Sequence, residues 1–185
     1  MIFIVLILVV IGFIIFVSFN SIIIKRNDVE KASSSLDAIL KKRFDILPNV
    51  VASVQQSMQF ETDTFEKIGK LRNATANATL QSSERIQNES DLTSLLSKVL
   101  VTVENYPDLK SNANISQLQS SIIEIEEDIT HARNSYNASV LAYNNQIETL
   151  PSKWVADEMG ASRKSYFEII NTEKESVSVN ELFGK

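Results

Sequence analysis

The stretch ISQLQSSIIEIEEDITHARNSYNASVLAYNNQIETL (residues 115–150) carries the most regular apolar pattern in the chain. Its apolar side chains follow one another at steps of three or four residues, which places them on one face of an α-helix. They are Ile115, Leu118, Ile122, Ile125, Ile129, Ala132, Tyr136, Val140, Tyr143, Ile147 and Leu150. Because a helix must bury such a face against other elements, the pattern predicts a helical bundle, and Pro151 is expected to end this helix.

Three further apolar stripes precede this stretch and predict three more helices. The first covers residues 29–44 and the second residues 51–71. Between them we expect a kink or a short break at Pro48, because proline has no N–H and disfavours helical geometry in the residue before it. The third covers residues 86–103, and the polar residues 73–83 before it predict a turn, since their side chains compete for backbone hydrogen bonds.

The first 24 residues, MIFIVLILVVIGFIIFVSFNSIII, contain no charged side chain. As a helix they would be about 36 Å long, enough to cross a hydrocarbon core of about 30 Å. A cleavable signal peptide is the competing interpretation, but it needs a basic start, a shorter apolar run and a small-residue cleavage site. The stretch has none of these features, so we predict a retained anchor that contacts the lipid bilayer through residues 1–24.

These patterns together predict an all-α protein. Its N-terminal transmembrane helix (residues 1–24) is expected to be followed by an antiparallel bundle of about four long helices over residues 25–159. The tail, residues 160–185, is expected to dock on the bundle with its first part and to be flexible beyond it. A coiled coil between separate chains would show the same spacing, and homo-oligomerisation therefore stays open.

Basic residues follow the apolar stretch, and none precedes it. Lys25 and Arg26 stand directly after it, and positive charge beside a membrane span is retained in the cytoplasm. These two residues are therefore the predicted topology determinants. They place the N-terminus outside and residues 25–185 in the cytoplasm.

The composition excludes several classes of protein. The chain has no Cys, which excludes disulfides, thiolate zinc sites and thiol catalysis. Its net charge of −5, with both signs interspersed, provides no basic surface for nucleic acid. Four Gly and three Pro in 185 residues are too few for the many turns of a sandwich or barrel, and favour long helices.

No complete catalytic or metal-binding motif is present in the sequence. Residues 128–131, Asp-Ile-Thr-His, have the shape of half of a di-metal site in a helical bundle. His131 is the only histidine, however, so the second half of such a site cannot form, and we expect this side chain to lie on a helix surface. We therefore predict no catalytic, cofactor-binding or metal-binding residues and a protein that is not an enzyme.

Two groups of polar residues remain as a candidate interaction surface. They are Arg43, Asp45 and Asn49 around Pro48, and Arg133, Asn137 and Asn144 beside Tyr136 and Tyr143. The alternative is structural: the tyrosines are core aromatics whose hydroxyls need a polar partner, and the asparagines and arginine supply it.

Four stretches resemble motifs of the LemA family of bacterial membrane proteins. They are FNSIIIKRNDVEKA (19–32), LKKRFDILPNVV (40–51), YPDLKSNANISQLQ (106–119) and ITHARNSYNASVLAYNNQIETLP (129–151). In the last of these, Ala132, Arg133, Tyr136, Asn137, Tyr143, Asn144 and Pro151 fall at the family's spacing. The chain departs from the family at Ser33, where Trp is usual, and at Ala161, where Phe is usual.

The resemblance implies an N-terminal membrane helix, a helical bundle and a location in the bacterial inner membrane. It implies no activity, because the family has no established biochemical function. We therefore expect a membrane-anchored scaffold or adaptor that binds an unknown protein partner. Two alternatives stay open: an accessory subunit of a membrane protease or envelope stress-response assembly, and a small-ligand binder or enzyme with a site in the bundle.

Overall fold

The computed structural model describes residues 1–57, 62–76, 82–104 and 112–168. Over these ranges the chain forms five α-helices and no strand. They are α1 (Ile2–Ser57), α2 (Thr62–Ala76), α3 (Ser83–Glu104), α4 (Ala113–Glu148) and α5 (Ser152–Glu158). The predictions of an all-α protein and of a long apolar N-terminal helix are confirmed.

The first helix, α1, contains 56 residues, which corresponds to about 84 Å. Its residues 2–17 are exposed and almost entirely apolar. In the described chain α1 is the one helix that is long and apolar enough, by length and composition, to cross a membrane. Its later turns carry side chains of the bundle core, so one helix joins the apolar N-terminus to the bundle.

The helix α1 continues through Pro48. Of the two outcomes that the sequence predicts at this point, the short break is therefore wrong, and the kink stays a prediction. Proline removes one backbone hydrogen bond from the helix, but Leu47 beside it is 2% exposed and packs in the core. Burial of a leucine side chain contributes about 1.5–3 kcal/mol, which offsets that loss.

The stripe over residues 51–71, predicted as one helix, is divided between two. The residues of the stripe up to Ser57 belong to α1, and α2 begins at Thr62. Residues 58–61 lie outside the described part of the chain. Periodicity alone does not reveal the division, because the apolar positions of both segments follow one another in the sequence at similar short steps.

The turn predicted over residues 73–83 is wrong for residues 73–76, which are helical. The helix α2 extends to Ala76, and residues 77–81 lie outside the described ranges. The buried Thr75 donates its hydroxyl to the carbonyl of Leu71 over 2.9 Å. Its side chain is satisfied within the helix, so it does not compete with the helical backbone as the sequence suggested.

The long helices α1 and α4 pack antiparallel. Lys42 of α1 contacts Asp128 in the middle of α4 over 3.5 Å, whereas Ser18 of α1 lies beside Ser152, just past the end of α4. The core between them contains Ile22, Val29, Leu36, Leu40, Ile125, Ile129, Tyr136, Val140, Tyr143, Ile147, Ala156 and Phe167. The stripe of residues 115–150 faces the core as predicted, apart from Leu150, which is 65% exposed because α4 ends before it.

A second core cluster lies at the end of the bundle away from the N-terminus. There α2 and α3 pack against each other and against α1 and α4. Its buried members are Leu47, Ile68, Leu92, Leu96, Val99, Val103, Ile115 and Ile122. The side chains of the third predicted stripe thus lie in the core, as expected from their spacing.

Candidate functional site

An arginine stands on the core-facing side of α1. Leu36, Leu40, Arg43 and Leu47 follow one another at steps of three and four residues, so all four point into the bundle. Arg43 is 1% exposed and is the largest fully buried side chain of the described chain. A charge buried to this degree must be paired with groups of opposite charge.

Three side chains from two other helices bind Arg43. Its Nη1 donates to the Thr93 hydroxyl at 2.7 Å and to Oε1 of Glu126 at 2.9 Å. Its Nη2 donates to Oε2 of Glu89. Since Thr93 and Glu89 lie on α3 and Glu126 on α4, this one guanidinium group connects three helices.

Glu89 lies between two arginines and is 2% exposed. Its Oε1 is 3.6 Å from Nε of Arg85, and Arg85 donates from Nη2 to Oδ1 of Asp37 on α1 over 2.6 Å. Burial raises the pKa of Glu89 above its ordinary value, and the guanidinium groups of Arg43 and Arg85 oppose that rise. We call Asp37, Arg43, Arg85, Glu89, Thr93 and Glu126 the ionic cluster.

Sequence reasoning selected Arg43 and missed the other members of the ionic cluster. A signal was nevertheless present. Arg85, Glu89 and Leu92 follow one another at steps of four and three residues. The two charged residues therefore continue the apolar stripe of α3 towards the start of the helix. Charged residues in register with an apolar stripe indicate a buried ionic group, since they face the core with the rest of the stripe.

A glycine reverses the chain after α5. Gly160 has φ +63°, a left-handed conformation that glycine adopts without steric cost. The N–H of Gly160 donates to the Asp157 carbonyl at 3.1 Å, and that of Ala161 donates to the Ala156 carbonyl at 2.9 Å. These two bonds form the Schellman pattern that closes a helix. Residues 161–168 then lie along α4.

Two asparagines of α4 bind the backbone of this returning segment. Asn144 donates from Nδ2 to the Lys164 carbonyl at 3.0 Å and accepts at Oδ1 from the Lys164 N–H at 2.9 Å. Asn137 makes the same pair of bonds with Phe167, at 3.1 and 2.8 Å. Asn137 and Asn144 are seven helical residues apart, about 10.5 Å along α4. Lys164 and Phe167 are three extended residues apart, about 10 Å along the segment. The spacing of the two amides therefore matches the spacing of the backbone groups that they bind.

A tyrosine and a phenylalanine complete the attachment. The Tyr136 hydroxyl donates to the carbonyl of Ser165 over 3.0 Å. Phe167 is 2% exposed and packs in the core between α1 and α4. We call Tyr136, Asn137 and Asn144 the tail clamp, because they hold residues 161–168 on α4. Residues 169–185 lie outside the described part of the chain.

The structural alternative for the tyrosines is right about their burial, since Tyr136 is 1% and Tyr143 2% exposed, but wrong about the partner of the Tyr136 hydroxyl. The Tyr136 hydroxyl is satisfied by the backbone of Ser165, and Asn137 and Asn144 bind the backbone of the same segment. Sequence reasoning paired these side chains with one another because they are close along the helix. Their actual partners lie 20–30 residues further along the chain.

The structure does not bring the six residues of the predicted interaction surface together. Arg43 and Asn144 are buried and bonded within the chain, and the half-buried Asn137 binds Phe167. Asp45 and Asn49 are exposed one turn apart on α1, whereas Arg133 is half-buried on α4. A partner could reach Asp45 and Asn49 most readily, and contact there stays a prediction.

The isolated histidine lies at the surface. His131 is exposed on α4, as expected for a helix-surface side chain. Among the described residues, no group of three or more His, Asp or Glu side chains is arranged to hold a metal ion.

Three comparisons place these features among known proteins. The model of the LemA family matches residues 32–180, a range that includes the ionic cluster and the tail clamp. Protein LemA of Metamycoplasma hominis is 26% identical over 163 residues, which cover 88% of this chain and 74% of that protein. Magnetosome protein MamQ 2 of Paramagnetospirillum magneticum is 32% identical over 73 residues, 40% of this chain and 27% of that protein.

Proposed function

This chain belongs to the LemA family, and from that membership and its fold we propose that it is a non-enzymatic, membrane-anchored scaffold or adaptor. One observation carries the proposal: α1 contains both the uncharged residues 2–24 and one wall of the bundle core. A continuous helix would hold the bundle at a constant distance from the bilayer. Such a protein acts by presenting its surface to a partner.

The exposure of the N-terminal part of α1 supports insertion in a membrane. The most apolar 18-residue window of α1 has a mean hydropathy of 3.4, and 6% of it is buried. A soluble protein would cover an apolar surface of this extent, because large exposed apolar patches promote association. In lipid, the exposed apolar side chains of residues 2–17 are surrounded by other apolar groups and do not promote association.

The charges that follow the apolar segment support a cytoplasmic bundle in the bacterial inner membrane. Lys25 pairs with Asp28 at 3.7 Å and Arg26 with Glu30 at 3.7 Å, and both basic side chains are about half exposed. Acidic residues count for little in the positive-inside rule. We therefore propose that the N-terminus is outside and the bundle inside.

The surroundings of the buried carboxylate support the absence of catalysis. An active site combines perturbed ionisable groups with a cleft that admits substrate. Glu89 has a raised pKa, but it is 2% exposed and lies between Arg43 and Arg85. A side chain buried to this degree offers no access to a substrate, which supports a structural role for the ionic cluster.

Single cysteines test the anchor and its orientation, because the native chain has none. Ser116→Cys places a thiol at an exposed position of α4, and Ile2→Cys places one at the start of α1. With a membrane-impermeant maleimide, we expect Ile2→Cys to react in intact bacteria and Ser116→Cys to react only after the membrane is broken. Labelling of Ser116→Cys in intact cells would reverse the proposed orientation.

Photocrosslinking from the exposed face of α1 tests the adaptor role. A benzophenone maleimide on Asp45→Cys is expected to yield a discrete, heavier adduct in native membranes, whereas the same probe on Ser97→Cys of α3 is not. Both positions are exposed, so general reactivity is matched. Identical adducts from the two positions, or none from Asp45→Cys, would contradict a partner at this face.

A further inference from the structure

The turn after α4 and the start of α5 carry two large apolar side chains that the bundle does not cover. Leu150 is 65% exposed and Trp154 is 67% exposed. Trp154 belongs to α5, which packs against both α1 and α4. We call Leu150 and Trp154 the apolar corner; Lys153 between them is about half exposed and pairs with Asp157 at 3.1 Å. Exposed side chains of this size in a cluster indicate a contact with another apolar surface.

The apolar corner lies beside the uncharged part of α1. A shallow groove is lined on one side by residues 149–152 with Gln146, and on the other by five residues of α1. These five are Phe13, Ile14, Val17, Ser18 and Ser21. The corner is therefore level with the second half of the segment that is proposed to cross the membrane.

The length of the free part of α1 indicates where the bilayer ends. Ser18 is 7% exposed and Ile22 is 1% exposed, because the bundle covers them. The residues that are exposed without interruption, Ile2–Val17, form about 24 Å of helix, whereas the hydrocarbon core is about 30 Å thick. For α1 to cross the core, the apolar region must extend past Val17 to the level of the corner.

We propose that the apolar corner, through Leu150 and Trp154, is inserted in the membrane interface as a second lipid contact beside α1; this inference rests on the proposed membrane insertion of α1. An indole ring suits that region because it has an apolar body and a polar N–H. A single helix leaves a bundle free to tilt relative to the bilayer. A second lipid contact on one side limits that tilt, so the bundle keeps one end at the bilayer and the other in the cytoplasm.

Intrinsic fluorescence tests the inference without a label, because Trp154 is the only tryptophan in the chain. The full chain is reconstituted in phosphatidylcholine vesicles whose acyl chains carry bromine either close to the headgroup or deep in the core. We expect blue-shifted emission, weak quenching by aqueous acrylamide, and loss of most of the intensity with the shallow bromine. The deep bromine is expected to quench less.

A variant with the tryptophan moved serves as the control. Trp154→Phe combined with Ile123→Trp places the indole at an exposed position of α4, about 40 Å along the helix from Leu150. This variant is expected to emit as indole does in water and to be insensitive to both brominated lipids. Equal quenching of the two proteins would overturn the inference.

Flotation of the same vesicles after an alkaline wash separates the inference from the proposed anchor. If the chain floats with the vesicles and shallow bromine quenches Trp154, the inference is supported. If the chain floats but bromine does not quench Trp154, the inference is overturned and the anchor stands. Without quenching by bromine the inference is overturned in either case, whether acrylamide reaches the indole or a second copy of the chain covers it. If the chain does not float, the anchor itself fails.

Discussion

Replacement of Arg43 by Met is expected to lower the free energy of unfolding by about 3–5 kcal/mol. Methionine fills much of the same volume but leaves Glu89 buried without the partner that binds its Oε2. The hydroxyl of Thr93 and the carboxylate of Glu126 lose their bonds to Nη1 in the same step. Urea unfolding of the full chain in detergent micelles, followed by far-ultraviolet circular dichroism, measures the change.

The neighbouring lysine provides the control for Arg43. Lys42→Met removes an exposed ion pair with Asp128, 3.5 Å long, and is expected to cost less than about 1 kcal/mol. Adding Glu89→Gln to Arg43→Met is expected to recover part of the stability, because the amide leaves no uncompensated charge in the core. If Arg43→Met and Lys42→Met destabilise the chain equally, the ionic cluster does not have the role assigned to it.

Replacement of Asn144 by Leu is expected to release residues 161–168 from α4. The substitution removes the partners of both the N–H and the carbonyl of Lys164. An unpaired buried polar group costs about 1–3 kcal/mol, so the segment detaches and regains hydrogen bonds to water. Hydrogen–deuterium exchange is the measurement: a loss of about 2 kcal/mol raises the exchange rate of these amides about 30-fold.

The adjacent asparagine is the matched control for the tail clamp. Asn145→Leu makes the same chemical change at an exposed position one residue away, and we expect exchange of residues 161–168 to stay as in the native chain. Exchange of the α1 and α4 core amides should also be unchanged in Asn144→Leu, because the effect is local. Equal protection of the segment in both variants would contradict the tail clamp.

The polar residues show how far sequence reasoning reaches. The sequence singled out Arg43, Asn137 and Asn144 as residues with a special role, but it assigned them to a partner surface or to nearby tyrosines. Helical periodicity assigns a side chain to a face, and it contains no information about which residue lies opposite. The partners of Arg43 are 46–83 residues away in the chain, so only the packing of three helices brings them together.

Pro48 shows that a local sequence rule can fail when tertiary packing opposes it. The local rule for proline predicts an interruption, whereas α1 continues through that position. The rule describes the backbone of an isolated segment, and it omits the burial of Leu47 and its neighbours in the second core cluster. Local propensity amounts to a few kcal/mol at a proline, and tertiary packing of an amphipathic helix can exceed it.

The sequence by itself determined the fold class, the apolar N-terminal helix and the faces that the α3 and α4 stripes bury, because these depend on composition and on a repeat that neighbouring residues carry. Tertiary structure alone decided that Arg43 lies inside the ionic cluster and that residues 161–168 return to the tail clamp. It also placed Leu150 beside the proposed anchor and packed α5, the helix that carries Trp154, against α1. These features depend on contacts between residues far apart in the chain, which form only when the helices have packed.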